Sequence, residues 1–206
     1  MQIRSNMEQA EIFVFIASFF LIALGFKGPD RPVKEPPEHP PIILFPESSG
    51  YNFRSGRAEL SSEFRDHIRT KLKPKILEVV KQYKDIDVIE VIGHTDGRPI
   101  NSVEQSISSH DSNLDNNLER VNLGKLSVSR LQPGSNTDLG IMRALAVVQE
   151  LKKSGGGILK LNFRAYSAGQ LLLQDGQPAP IDKTDTPQRR RIEIRFTKLG
   201  RTQVFK

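Results

Sequence analysis

The chain has 206 residues, of which 37% are hydrophobic and 26% charged, and its formal net charge is +6. The absence of cysteine excludes disulfide scaffolds, thiol nucleophiles, Cys-ligated metal sites and a lipid anchor on an N-terminal cysteine. The positive charge favours anionic partners. Nucleic acid is not expected among them, because the sequence has no tryptophan and no basic tract with interleaved aromatic residues.

The first predicted element is a membrane helix. The apolar run from Ile12 to Phe26 contains a single polar residue, a serine, but a helix of that length covers only about 22 Å of the roughly 30 Å hydrocarbon core. A helix over residues 7–26 spans the core and leaves residues 1–6 as a short cytoplasmic tail. It places Glu11 inside or at the edge of the membrane, where an unpaired carboxylate is costly, so Glu11 is a candidate functional residue. The alternative is that Glu11 lies among the headgroups, at the boundary of a short anchor.

A cleaved signal peptide is another interpretation of the same segment. Small residues at Ala23-Leu24-Gly25 have the spacing of a cleavage site, but residues 1–11 lack the positive excess that a signal sequence carries. The basic residues that flank the helix do not support an N-terminus in the cytoplasm, since Arg4 stands on one side against Lys27, Arg31 and Lys34 on the other.

Residues 27–49 form the second segment, a predicted spacer. Seven of the 13 prolines lie there. Such a density favours an extended, semi-rigid backbone over a folded domain.

Residues 50–206 carry alternating strand and helix patterns. Runs of β-branched residues and apolar alternation predict strands at 51–53, 86–92, 159–165 and 191–197. Helical spacing predicts helices at 60–84, kinked or divided at Pro74, and at 137–153. The order β-α-β-α-β-β predicts an α+β sandwich in which a mixed sheet carries helices on one face.

Three motifs within this region occur in a fixed order. They are Gly93-His94-Thr95-Asp96, then Asn136-x-x-Leu139-Gly140-x-x-Arg143-Ala144, and then Arg190-Arg191-Ile192-Glu193-Ile194. Together they resemble the OmpA-like peptidoglycan-binding domain, over about residues 50–197. The sequence departs from the family at Gly140, where the family has serine, and in the long connection between the first two motifs. This insert, about residues 98–135, is expected to be a lid, a partner surface or a disordered loop.

The resemblance implies a binding site for the diaminopimelate of the peptidoglycan stem peptide. Asp96 would bind its ammonium group, and Arg143 would grip a carboxylate with two donors. Asn136 and Leu139 would line the pocket, beside the backbone amides that begin the second helix. Taken singly, these residues also have ordinary structural interpretations: Asp96 as a turn cap, Arg143 in a surface ion pair and Asn136 as a helix cap.

The N-terminal segment has a resemblance of its own. Ala10-Glu11 is followed by seven residues and by Phe19-Phe20-Leu21. This pattern resembles the membrane helix of MotB-like stator B subunits, in which an aspartate follows the alanine. The flagellar B subunit and the ZorB subunit of Zorya anti-phage systems share the layout of membrane helix, spacer and OmpA-like domain.

The second resemblance implies an ion-driven complex in the bacterial inner membrane. Glu11 would carry the ion, by expectation a proton, and the C-terminal domain would lie in the periplasm. Two copies of the chain would form a dimer inside a ring of five polytopic A-type subunits.

Two other classes of function remain open on the sequence. A passive single-pass protein would tether the inner membrane to the wall, with Glu11 only marking the end of its helix. A wall hydrolase is disfavoured, because no pair of carboxylates, Ser/His/Asp set or metal cluster assembles at a known spacing. The sequence therefore predicts no enzyme, catalytic residue, metal or cofactor.

Overall fold

A mixed four-stranded sheet organises the computed structural model, which describes residues 38–47, 53, 56–100 and 112–205. Its strands are β1 (Ile43–Pro46), β2 (Val88–His94), β3 (Phe163–Gly169) and β4 (Arg191–Thr197), in the spatial order β1-β4-β2-β3. β2 and β3 are parallel, whereas β4 runs antiparallel to β1 and to β2. The predicted α+β class and mixed sheet are confirmed.

Four α-helices are present in the described part of the chain. Helix α1 (Ser62–His67) continues through a π-helical segment (Ile68–Leu72) into α2 (Lys73–Gln82), and α3 (Leu114–Asn122) and α4 (Asn136–Lys153) follow. Short 3-10 helices lie at Val128–Arg130 and Gly156–Lys160.

Pro74 does not divide the helix predicted over residues 60–84. Proline has no N–H and so cannot make the α-helical bond to the carbonyl four residues before it. The π segment adds a residue to the turn ahead of it, and there the Lys73 N–H donates to the Ile68 carbonyl. Pro74 then falls in the first turn of α2, where no N–H donor is needed.

One face of the sheet builds the hydrophobic core together with the helices. Side chains alternate along a strand, so Ile192, Ile194 and Phe196 of β4 point to the same face, and all three are buried. They share one cluster with apolar residues of every α-helix named above and of the π-helical segment, including Phe64, Ile68, Ile76, Val79, Leu114, Val121, Leu145, Val147 and Leu151. Arg191, Glu193 and Arg195 point to the opposite face.

The first strand lies within the segment predicted as spacer. Of the strand predicted at residues 51–53, only Phe53 is among the described residues. Ile43–Pro46 pairs with β4, while Phe53 makes only an isolated bridge to Leu60. Proline is tolerated in β1 because this strand is at the edge of the described sheet. The backbone groups on the outer side of an edge strand pair with no neighbouring strand, so a missing N–H donor there breaks no hydrogen bond. Ile43 and Phe45 pack against the core, so this part of 27–49 belongs to the folded unit.

Two other strands begin later than predicted. β2 occupies Val88–His94 rather than 86–92, and β3 occupies Phe163–Gly169 rather than 159–165. The apolar alternation that begins at Leu159 is interrupted by the 3-10 helix at Gly156–Lys160. Parallel pairing with β2, from Ile89 opposite Phe163 onward, decides where β3 begins.

The insert at 98–135 is partly helical, and its described part is packed rather than disordered. Leu114 and Val121 of α3 are buried in the core. The Gln149 side-chain amide of α4 donates to the carbonyls of Val121 and Leu126, at 2.8 and 3.0 Å, and ties the insert to that helix. Residues 101–111 lie outside the described residues.

The predicted tail (1–6), membrane helix (7–26) and first part of the spacer (27–37) also lie outside the described residues, as does Glu11. Within the ranges that are described, no helix combines the length and hydrophobicity needed to cross a membrane.

Candidate functional site

The first two motifs meet at one end of the sheet. Asp96 lies two residues beyond the last residue of β2, and Arg143 lies about two turns into α4. The two side chains are 40 or more positions apart in the sequence and are both buried, with residue exposures of 6% and 2%. The structure therefore brings together the two charged residues that the sequence singled out.

A close contact between two glycines holds α4 against β2. A Cβ added to Gly93 would lie 2.0 Å from the Gly140 carbonyl oxygen, and one added to Gly140 would lie 2.2 Å from Ser167 Oγ. Neither position has room for a side chain. Gly140, which stands where the family has serine, is accommodated because Ser167 of β3 already fills the adjoining space.

Three donors surround the Asp96 carboxylate. Its Oδ1 accepts a bond from the Arg98 N–H, and its Oδ2 accepts one from the Thr186 N–H, both at 3.3 Å. Oδ2 also pairs with Arg190 Nη1 at 2.6 Å. The predicted turn-capping role of Asp96 is therefore present beside an ion pair that the sequence did not predict.

Arg190 is shared among three carboxylates. In addition to Asp96, its guanidinium makes ion pairs with Glu47, which directly follows β1, and with Asp185, in the connection between β3 and β4. We call Glu47, Asp96, Asp185 and Arg190 the site cluster. The sequence did not predict this cluster. Its only signal was the position of Arg190 in the third motif, and Glu47 lay in the predicted spacer.

Arg143 is enclosed by the segment that precedes α1. Its Nε donates to the Arg57 carbonyl at 3.2 Å, and its guanidinium carbon lies 4.9 Å from the centre of the Phe53 ring. Burial lowers the pKa of Arg143 to about 10, and the attraction of Asp96 partly opposes this effect. Arg143 is thus a protonated, buried cation at neutral pH and not the exposed ion-pair partner of the ordinary structural interpretation.

Very little space is left beside the two arginines. Arg143 and Arg190 both line a cavity of about 10 Å³, together with Phe45, Glu47, Phe53, Phe64, His94 and Arg191. Such a cavity holds one water molecule at most. A ligand carboxylate that reaches Arg143 therefore requires Phe53 or the Arg57 carbonyl to move.

Asn136 and Leu139 lie on the first turn of α4. The helix is capped by Ser135, whose Oγ accepts from the Asp138 N–H at 3.2 Å, so Asn136 is not the cap. The Asn136 side chain instead donates to the Arg98 carbonyl at 3.0 Å and fixes the chain just after Asp96. Leu139 is 4% exposed and offers little surface to a ligand in this conformation.

His94 belongs to a second charged group, which we call the β4 cluster: His94, Arg191, Glu193 and Arg195, of which all but Arg195 are buried. His94 Nε2 lies 3.1 Å from Glu193 Oε2, and Arg195 pairs with the same carboxylate. Burial, followed by the charge of Arg191, lowers the pKa of His94 to about 4 despite the opposing effect of Glu193. His94 is therefore a neutral, fully buried structural residue at pH 7.

Arg191 anchors the long connection between β3 and β4. Its guanidinium donates to the carbonyls of Leu172 and Leu173, at 3.3 and 2.8 Å. The same connection supplies Asp185 and the Thr186 N–H to the site cluster. Adjacent arginines of the third motif thus have different tasks, because one faces the carboxylates of the site and the other holds the loop that carries part of it.

The two charges of the site suit a zwitterionic ligand group. Asp96 supplies a carboxylate for an ammonium, and Arg143 supplies a guanidinium for a carboxylate. Arg98, which lies 3.5 Å from Asp185, and Arg143 balance the surplus of carboxylates in the site cluster, so that three guanidiniums stand against its three carboxylates. A ligand with one charge of each sign leaves that balance unchanged.

No family model matches this chain, and no curated protein matches it. Among solved structures, it is similar to the periplasmic domain of Helicobacter pylori MotB, with 21% identity, 79% of this chain and 76% of that chain covered, and a TM-score of 0.46. A MotB-like protein from Desulfovibrio vulgaris has 16% identity, coverage of 77% and 75%, and a TM-score of 0.44. The cell wall anchor of the T6SS from Pseudomonas aeruginosa has 18% identity, coverage of 76% and 81%, and a TM-score of 0.39.

Identities of 16–21% do not transfer the role of any residue from those proteins to this chain.

Proposed function

We propose that this chain is the peptidoglycan-anchored B-type subunit of an ion-driven stator complex. The observation that carries the proposal is the joint burial of Asp96 and Arg143 at one end of the sheet, at the positions that the family motifs assign to the diaminopimelate site. Burial strengthens both charge interactions, because little water competes with the ligand there. In this proposal the side-chain ammonium of diaminopimelate pairs with Asp96 and its carboxylate pairs with Arg143.

The remaining residues of the second motif support that site in different ways. Asn136 holds the backbone at Arg98, next to Asp96. Leu139 and Gly140 pack the first turns of α4 close to β2, which sets the depth of Arg143 relative to the end of the strand. Neither task is catalytic, and the proposed activity is binding alone.

The N-terminal pattern supports the stator part of the proposal. Glu11 carries a proton in a membrane helix over residues 7–26, with the N-terminus in the cytoplasm and the folded domain in the periplasm. One helix does not enclose an ion path, so the chain acts as a dimer inside a ring of five polytopic A-type subunits. The complex serves either a flagellar motor or a Zorya-type defence system, and a neighbouring gene for the A-type subunit identifies which.

Sedimentation with purified peptidoglycan tests the wall site. In the full-length chain, Asp96→Asn removes the charge that binds ammonium, and Arg143→Lys removes the planar pair of donors that grips a carboxylate. Each loss of a charge-assisted bond is worth about 1.5–3 kcal/mol, so each variant is expected to bind at least ten-fold more weakly.

Arg164→Lys is the matched control, because Arg164 is an exposed residue of β3 away from the site. Circular dichroism checks that each variant is folded. Folded Asp96 and Arg143 variants that sediment as the unaltered chain does would refute the site.

Replacement of Glu11 separates the motor from a passive tether. Glu11→Gln keeps the size of the side chain and removes its titration, so motor function or defence should be lost while wall binding and complex assembly persist. Glu11→Asp should retain partial activity, since it keeps a titrating group on a shorter stem. Full activity of Glu11→Gln in cells would replace the motor with the tether.

A further inference from the structure

We infer that Arg190 is a built-in competitor for the ligand ammonium at Asp96, and that Glu47 and Asp185 hold its guanidinium when the ligand displaces it. The inference rests on the proposed function and concerns how the same site is occupied and released. Its starting point is that Arg190 Nη1 lies 2.6 Å from Asp96 Oδ2, the oxygen that an incoming ammonium has to reach.

The contacts of Arg190 make this displacement inexpensive. A guanidinium has five N–H donors in a rigid fork and can bind several carboxylates at once. When Arg190 loses Asp96 it keeps its ion pairs with Glu47 and Asp185. Breaking a buried pair is otherwise strongly destabilising, because it leaves a buried charge without a partner. Here two alternative partners remain within reach of the same side chain.

The charges of the site cluster favour a second cation. Three carboxylates surround one guanidinium, so the cluster by itself has a formal charge of −2. Arg98 offsets part of this surplus from the exposed side of Asp185, and Arg143 offsets part of it from beyond Asp96. Once the ligand carboxylate neutralises Arg143, the surplus becomes available to the ligand ammonium. The two halves of a zwitterionic ligand therefore bind cooperatively.

Glu47 connects this competition to the edge of the sheet. Its N–H donates to the Arg190 carbonyl at 3.0 Å, and its side chain is 9% exposed. Glu47 is in place only when β1 is paired with β4, since it directly follows Pro46 and that strand positions it. Full affinity for the ligand thus requires the docked edge strand, although no residue of β1 touches Asp96 in the described contacts.

The experiment measures the affinity of the full-length chain for the tripeptide L-Ala-γ-D-Glu-meso-diaminopimelate. In Glu47→Gln/Asp185→Asn, Arg190 has only Asp96 as a charged partner and competes more strongly, so the Kd should rise about ten-fold. The triple variant Glu47→Gln/Asp185→Asn/Arg190→Gln also lacks the competing guanidinium. Asp96 is then the only carboxylate left in the site cluster, so no other carboxylate of the cluster repels it. This triple variant should bind at least as tightly as the unaltered chain.

The sign of the Arg190 effect decides the outcome. If the folded triple variant binds as weakly as Asp96→Asn, Arg190 helps to build the site. If the Kd of the Glu47/Asp185 double variant is unchanged, these two residues do not hold the Arg190 guanidinium. Either result overturns the inference and leaves the proposed function standing. If Asp96→Asn and Arg143→Lys also bind the tripeptide normally, the proposed function itself fails.

Discussion

The site cluster and the β4 cluster meet at one end of the sheet, where Arg190 and Arg191 are adjacent, but they have opposite surpluses of charge. In the site cluster three carboxylates share Arg190, and Asp185 is 53% exposed. In the β4 cluster Glu193 stands between Arg191 and Arg195, beside a neutral His94. Burial of charge therefore does not by itself mark a binding site. The exposed member of the site cluster is a carboxylate, Asp185, whereas that of the β4 cluster is a cation, Arg195, whose side chain is 41% exposed. Arg191 of the β4 cluster holds the connection between β3 and β4.

The largest difference between the clusters is expected in stability. Glu193→Gln removes the only carboxylate of the β4 cluster and leaves Arg191, whose side chain is 1% exposed, without its compensating charge. We expect a loss of about 3 kcal/mol in the free energy of unfolding, at the low end for a broken buried pair. Asp185→Asn, at the exposed side of the site cluster, should cost less than about 1 kcal/mol. Urea denaturation compares the two, and equal losses would contradict the distinction.

Acid should weaken the β4 cluster through His94. The pKa of His94 is lowered to about 4 in the folded chain, from 6.5. As the pH falls below 6.5 the unfolded chain binds a proton that the folded chain does not, so the stability that the neutral histidine contributes at high pH is lost. The loss between pH 7 and pH 5 should be about 2 kcal/mol. His94→Gln should flatten this part of the stability curve, and a curve with the same slope in that variant would exclude His94 as the cause.

The glycine contact between β2 and α4 sets the distance between the two ends of the site. Gly140→Ser restores the residue of the family but places its Cβ against Ser167 Oγ. Overpacking of this kind should cost about 2 kcal/mol. Ser167→Gly should recover only part of that loss in the double variant, since the Gly93 carbonyl oxygen still lies 2.9 Å from the same Cβ. A double-mutant cycle measured by thermal unfolding tests the coupling, and additive effects would show that the two positions do not compete for space.

A smaller effect than that of the glycine contact is expected at the start of α4. Ser135→Ala removes the side-chain oxygen that accepts from the Asp138 N–H and should cost about 1 kcal/mol. The matched control is Ser127→Ala, which caps only the three-residue helix at Val128–Arg130 and should cost less. Hydrogen exchange of the first turn of α4 should increase in the Ser135 variant alone. Equal exchange in both variants would indicate that Asn136 and its bond to Arg98 hold this turn without the cap.

Local pattern in the sequence determined a large part of the molecule. Helical spacing located the long helices and their buried faces, because the 3.6-residue period of a helix is visible without its neighbours. The alternation of Ile192, Ile194 and Phe196 located β4 for the same reason. The resemblance of the motifs to the OmpA-like domain placed Asp96 and Arg143 in one candidate site.

Only the tertiary structure decided the position of β1, the beginning of β3 and the partners of Asp96. Because it contains Pro46, β1 was predicted as part of the spacer. Proline is tolerated in an edge strand, but only the pairing with β4 shows that this segment is one. The departure from the family pattern at Gly140 is explained only by the position of Ser167, which leaves no room for a side chain there.

The tertiary structure alone also decided the composition of the site cluster. Arg190 is 94 residues from Asp96 and 143 residues from Glu47 in the sequence. No local period or spacing connects residues so far apart. Their contact is set by the order of the strands across the sheet, which pairs β1 with β4 and places β4 beside β2.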